Sequence, residues 1–184
     1  MHEDDLSTYL YAQRFYFIAE QCLNIMQKSL TKTLRQHDLN HSQHLVLLVL
    51  RYAEFSGREV ISTDIAYLLG LEKHSITTVV DKLVHRDLVE RERSTDDRRV
   101  IHLTLTPAGR DLAAEVHGQT VGPVSEVPDH AQDEFARMCD FLPALREHIA
   151  TSSGQPSDAY DRAYRSLLLD GQNAFLRHYD QIEP

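Results

Sequence analysis

Residues 62–109 read STDIAYLLGLEKHSITTVVDKLVHRDLVERERSTDDRRVIHLTLTPAG, and this stretch decides the fold. Ser62-Thr63-Asp64 carries the hydroxyl and carboxylate chemistry that caps a helix N-terminus. Ile65, Ala66, Leu68 and Leu69 follow at helical spacing until Gly70 stops the run. Past Gly70-Leu71 a second helix is predicted, with Ile76, Val79, Val80 and Leu83 on one side and Ser75, Thr77, Thr78 and Lys82 on the others. Two short helices joined by a tight glycine turn make a helix-turn-helix, whose second helix fits a DNA major groove. Residues 88–93 and 100–105 then alternate in polarity, with the polar turn Ser94-Thr95-Asp96-Asp97-Arg98-Arg99 between them. That pattern predicts a β-hairpin with two arginines at its tip, a wing beside the helix pair. Thr106 and Pro107 open the next helix, threonine as N-cap and proline at the first helical position.

At these residues the chain resembles the MarR family of bacterial transcriptional regulators. The resemblance is carried by Val80-Asp81-Lys82-Leu83, Leu88-Val89-Glu90-Arg91, Asp97-Arg98-Arg99 and Leu105-Thr106-Pro107-Ala108-Gly109, with Leu39-Asn40-His41-Ser42-Gln43 upstream. It covers about residues 10–150. It implies a mostly α fold with a small β-wing: a winged helix-turn-helix plus a helical dimerisation lobe. One departure is visible, because family members usually carry glycine where Asp87 stands. A left-handed residue is expected there, and aspartate tolerates that conformation better than most side chains. The expected organisation is an N-terminal helix of the dimerisation lobe over 1–38 and the DNA-binding domain over 39–106. Further helices of the lobe follow over 107–150, and an additional C-terminal helix over 157–182.

With 184 residues, the chain has room for one such lobe pair. Its 42% hydrophobic and 26% charged content is ordinary for a soluble globular protein. No apolar run is long enough to span a membrane, and the acidic start Met1-His2-Glu3-Asp4-Asp5 does not read as a signal peptide. Two cysteines, Cys22 and Cys139, make no disulfide framework, so a cytoplasmic location is expected. The net charge of −9 is unevenly spread. From Glu72 to Arg110 eight Lys/Arg face seven Asp/Glu, a local +1, while the remainder holds 11 basic and 21 acidic residues, or −10. DNA binding needs positive potential only where the phosphates lie.

Upstream, residues 7–35 repeat Tyr11, Phe15, Ile18, Cys22, Ile25/Met26 and Leu30 at three- and four-residue steps. Leu10, Tyr16, Phe17 and Leu23 occupy other faces, so five of the chain's 14 aromatics fall between Tyr9 and Phe17. A helix apolar nearly all round is buried on more than one side, either in a dimer or in a core. A second helix is expected from about Ser42 to Phe55, and Val60-Ile61 as a third strand of the winged sheet. Gly118, Gly122 and Pro123 predict a break after the helix that starts at Pro107, and Pro143 a kink in a helix over 129–149. In the tail, Tyr160, Ala163/Tyr164, Leu167/Leu168, Ala174/Phe175 and Tyr179 form an apolar seam that requires a packing partner.

His74, Ser75, Thr77 and Thr78 at the start of the second helix of the pair are the candidates for contact with base edges. Hydroxyls serve several bases, and a threonine methyl meets that of thymine. Lys73, Lys82 and Arg93 suit phosphates, which position a protein without specifying sequence. Arg98 and Arg99 suit a narrow minor groove, and the resemblance favours Arg99, braced by Asp97. The resemblance also implies an effector pocket between the first two helices and the winged domain, with Tyr11, Phe15, His41, His44 and Arg91 as candidate walls. Aromatic walls with a few polar groups suit a small aromatic carboxylate or phenol. His37, His41, His44 and His117 raise a zinc site, but no Cys-x-x-Cys accompanies them, so no metal and no cofactor are expected. Cys22 reads as a small hydrophobe on the apolar stripe, with redox sensing as the alternative.

No nucleophile–base arrangement or phosphate loop stands out, so no catalytic residue and no enzymatic activity are expected. The reading is a homodimeric, sequence-specific regulator of double-stranded DNA, a repressor released by a small-molecule effector. A redox- or metal-responsive regulator of the same fold, or a winged helix kept for protein contacts, are the alternatives.

Overall fold

The computed structural model describes residues 3–95, 97–125 and 127–154, and beyond them residues 163, 164, 167, 170 and 171. Two compact units follow one another, residues 1–41 and 42–184.

The first unit is essentially one helix, α1 (Glu3–Gln36), uninterrupted because none of its 34 residues is glycine or proline. At its C-terminal end Asp38 turns left-handed (φ 52°), and the amide of Leu39 reaches back to the carbonyl of Leu34 at 2.9 Å. That bond satisfies one of the carbonyls a helix end leaves open, and Arg35 sits in the last turn, where a cation suits the helix dipole. Tyr11, Tyr16, Phe17 and Ile25 are all more than 60% exposed on this helix. Cys22 is exposed as well, so within one chain the thiol does not pack as the stripe predicts.

The second unit holds the core. Helix α2 (His41–Ser56) buries Val46, Leu47, Val49, Leu50 and Ala53, and α3 (Ser62–Leu69) buries Ile65, Ala66 and Leu68. Helix α4 (Lys73–His85) adds Ile76, Val80 and Leu83. Gly70 turns α3 into α4 with φ 63°. Ser62 is not the cap of α3. Ile61 is, held extended by its bridge to His102, and the Asp64 carboxylate reaches back to accept its amide at 3.2 Å.

Strands β1 (Val89–Arg93) and β2 (Ile101–Leu105) pair antiparallel, Val89 opposite Leu105 and Arg93 opposite Ile101. The amide of Leu103 also bonds the Val60 carbonyl at 2.8 Å, so the stretch around Val60-Ile61 forms a third edge as the sequence predicts. In β1 only Val89 is buried; its remaining residues are exposed because the hairpin projects beyond the core.

Helix α5 (Pro107–Ser125) is continuous where a break was expected. A glycine weakens a helix by about 1 kcal/mol relative to alanine without ending it, and Gly118 and Gly122 are both carried inside. A short 3-10 turn (Asp129–Ala131) leads into α6 (Gln132–Ser152), which also runs through Pro143. The C-terminal seam lies mostly outside the described residues. Those described are helical, with Ala163 and Leu167 buried. Asp170 pairs with Arg58 at 3.4 Å, and Gly171 sits so close to the Tyr52 carbonyl that a Cβ would collide with it. This part of the tail therefore packs on the C-terminal end of α2 in its own chain.

Helix α2 is also tied to α5. Glu54 accepts from Arg110 at 2.7 Å and from Arg51 at 3.2 Å, and Tyr52 Oη lies 3.3 Å from His117 Nε2. At the start of α5, a Cβ at position 109 would run into the Leu88 carbonyl oxygen. Gly109→Ala is expected to lower stability by about 1–3 kcal/mol through overpacking. In the same helix, Gly118 has open space around it, and Gly118→Ala is expected to raise stability by about 0.5–1 kcal/mol. Thermal unfolding of both variants separates the two effects.

Burial lowers the pKa of His117 from its usual 6.5. The unfolded chain then takes up that proton before the folded one. The stability associated with neutral His117 is complete above about pH 6.5 and is lost as pH falls toward the folded pKa. Urea unfolding across pH is expected to show a weaker acid-side decline in His117→Gln than in the parent, and equal slopes would refute the assignment.

Candidate nucleic-acid interface

Helix α4 has two distinct faces. Ile76, Val80 and Leu83 are fully buried, while Lys73, His74, Thr77, Thr78, Asp81 and Lys82 are exposed; Ser75 and Val79 lie at the boundary. The 3.6-residue period makes two columns of the exposed side chains, Lys73–Thr77–Asp81 and His74–Thr78–Lys82. All but Ser75 of the sequence-selected α4 residues therefore share one open face. Its polar groups are partly committed. Thr77 Oγ1 donates to the Lys73 carbonyl at 3.0 Å, and Thr78 Oγ1 to the His74 carbonyl at 3.1 Å.

The wing tip is built by backbone bonds. The amide of Ser94 bonds the Val100 carbonyl at 3.0 Å, and the amide of Val100 bonds the Asp97 carbonyl at 2.9 Å. Asp97 then accepts the backbone N–H of Arg99 on its carboxylate at 2.9 Å. Aspartate favours such turns because its side chain accepts an amide two residues on. Asp97 thus braces the backbone of Arg99, leaving the side chains of Arg98 and Arg99 exposed. Arg93, at the last paired position of β1, is exposed too.

The candidate pocket residues are differently placed. Tyr11 and Phe15 are 68% and 45% exposed on α1, and His44 is buried on α2. His41 lines a cavity of about 430 Å³ in the first unit, together with Leu30, Leu34, Arg35 and Leu39, but Tyr11 and Phe15 do not. Arg91 donates to Asp81 at 2.6 Å, an ion pair that joins β1 to the exposed face of α4. Sequence reasoning missed this pair: ten positions separate the two residues across a turn, and no local period relates them. Among the described residues no three His, Cys, Asp or Glu side chains converge as a metal site, and no helix is long and apolar enough to cross a membrane.

Asp81 and Arg91 are 55% and 35% exposed, so their pair stabilises the fold by less than about 1 kcal/mol. Asp81→Ala and Arg91→Ala are expected each to shift the denaturation midpoint only slightly. The double variant should match the single ones rather than their sum. An additive double variant would mean that the ion pair contributes nothing to stability.

Comparison with known proteins points to the same fold. Residues 28–116 match the family model described as transcriptional regulator SarA/Rot. The transcriptional repressor MprA of Escherichia coli (strain K12) is 29% identical over 98 residues, 52% of this chain and 54% of that protein, so the chain spans about half the length of this relative. Among solved structures, NadR in complex with 4-hydroxyphenylacetate superimposes with a TM-score of 0.61 at 19% identity, covering 70% of this chain and 89% of NadR. Overoxidized AbfR bound to DNA superimposes with a TM-score of 0.55 at 25% identity, covering 77% and 98%. The helix pair, the paired strands that follow it and these matches show a winged-helix fold similar to that of MarR-like transcriptional regulators.

Proposed function

We propose that this protein is a homodimeric, sequence-specific DNA-binding regulator of transcription, acting in the cytoplasm as a repressor rather than as an enzyme. The observation that carries the reading is the pairing of two exposed elements on one small core. The open face of α4 has the size of a major-groove reader, and the wing tip holds Arg98 and Arg99 beyond it on a turn braced by Asp97. In this arrangement His74, Thr77 and Thr78 face base edges, with Ser75 at the margin of that face. Lys73, Lys82 and Arg93 meet phosphates, and Arg99, with Arg98 beside it, enters the neighbouring minor groove. The family match and the relatives named as regulators support the same reading.

A second copy of the chain is the natural cover for α1, whose Tyr9, Leu10, Tyr11, Tyr16, Phe17 and Leu23 are each more than half exposed. A lone soluble protein rarely leaves so many large apolar side chains in water. For the effector, a small aromatic carboxylate or phenol is the ligand class that aromatic walls with a few polar groups suit. A carboxylate that drew Arg91 away from Asp81 would remove one tie between β1 and the exposed face of α4.

Arg99→Ala is expected to weaken binding to every DNA sequence and to lower the slope of log affinity against log salt by about one unit, because one phosphate contact and its released counterion are lost. Titrations against cognate and scrambled duplexes across salt measure this. An Arg99→Ala protein that bound both duplexes like the parent at every salt concentration would move the wing to a protein-contact role.

A further inference from the structure

The two threonines on the open face of α4 are restricted in what they offer to a base. A hydroxyl has one proton to donate. Thr77 gives its proton to the Lys73 carbonyl and Thr78 gives its own to the His74 carbonyl, at 3.0 and 3.1 Å, each one turn back along the helix. What remains on the exposed side is a methyl group and oxygen lone pairs, without a donor. Turning either hydroxyl outward would exchange one hydrogen bond for another and leave the helix carbonyl without it.

The neighbouring groups do not supply the missing donor at this point of the face. Asp81, one turn beyond Thr77, is an acceptor already engaged by Arg91, and the donors of this face, Lys73, His74 and Lys82, lie at the ends of the exposed columns, a turn away from the two threonines. In the major groove guanine presents acceptors only, adenine N6 and cytosine N4 present donors, and thymine presents its 5-methyl group. Against guanine these threonines have nothing to give, whereas two adjacent methyls form an apolar surface for thymine.

Resting on the reading of α4 as the DNA-reading helix, we propose that Thr77 and Thr78 are specificity-determining residues that select thymine through its 5-methyl group and exclude guanine at the bases beneath them. The hydroxyls serve the helix and the methyls serve the readout.

The test uses the full chain and a duplex recovered by it from random-sequence DNA. The parent, the double variant Thr77→Val/Thr78→Val and the double variant Thr77→Ser/Thr78→Ser are titrated against that duplex made with thymine or with uracil, and against a scrambled duplex. Valine keeps the methyl and the branched shape but removes the hydroxyl; serine does the reverse. The valine protein is expected to bind the thymine duplex within about twofold of the parent, while the serine protein loses about tenfold, two buried methyl-sized contacts' worth. Uracil is expected to cost the parent and the valine protein the same factor and the serine protein nothing further, the non-additivity of groups in contact. All three proteins should bind the scrambled duplex equally, which also shows that the variants fold.

A valine protein that falls as far as the serine protein would overturn the proposal, since the hydroxyl would then be the reading group. Uracil that changes no protein's affinity would overturn it too, since no thymine methyl would be touched. Both of those outcomes leave α4 as the reading helix. A parent that recovers no duplex it prefers over scrambled DNA would instead remove the DNA-binding reading itself, and this inference with it.

Discussion

The backbone at Asp87-Leu88 has to be satisfied where four elements meet, and Thr106 does it. Its hydroxyl donates to the Asp87 carbonyl at 2.7 Å and accepts the Gly109 amide at 2.9 Å, while its own amide bonds the Leu88 carbonyl at 3.2 Å. The same two residues end α4, because the amides of Asp87 and Leu88 return to the carbonyls of Val84 and Leu83. Thr106 is only 3% exposed, and a buried polar group left without partners would cost about 1–3 kcal/mol. One side chain thereby joins the end of α4, the start of β1, the end of β2 and the first turn of α5. Asp87 adopts φ 56° there, the left-handed geometry that the chain must take to reverse from helix into strand.

Everything that faces DNA in the proposed reading hangs from that junction. The direction of β1 follows from it, and the Arg91–Asp81 pair then ties the strand to the outer face of α4. Further out the hairpin has no core to lean on, and β1 beyond Val89 is exposed. The turn is held instead by its own backbone and by the Asp97 carboxylate. Such an arrangement suits a minor-groove probe, in which the arginine side chains stay free while their backbone is fixed. In the proposed reading a chain of net charge −9 offers a polyanion the exposed cations of α4 and the hairpin, within a stretch whose own charge is +1.

Helix α2 is the second platform. Its C-terminal end receives Arg110 and His117 from α5, and Asp170 and Gly171 from the tail. The tail residues that are described thus pack directly on the second unit. The opposite situation holds on α1, where aromatic and aliphatic side chains stand in water. Hydrophobic burial of about 25 cal/mol per Å² makes such a surface costly to leave uncovered, which is the physical ground for proposing a second subunit.

The order of the elements in residues 62–109 was legible from the amino-acid sequence alone, because the signals there are local. Periods of 3.6 and 2, the glycine at position 70 and the cap at Thr106 all act within a turn or two of chain, while the left-handed residue at 87 is what the family resemblance implied. Sequence also led to a break in α5 and to a cap within Ser62-Thr63-Asp64, and there tertiary structure decided otherwise, with only the Asp64 carboxylate reaching back to the chain before the helix. Gly118 and Gly122 lower helix propensity without forbidding the helix, and α5 runs on through them. Ile61 is fixed by pairing with His102 from a distant strand, which moves the cap by one residue. The partner of Arg91 depends on where β1 crosses α4, and the seat of Gly171 on how closely two helices approach. Contacts of that kind depend on the relative position of elements, which no local pattern of residues encodes.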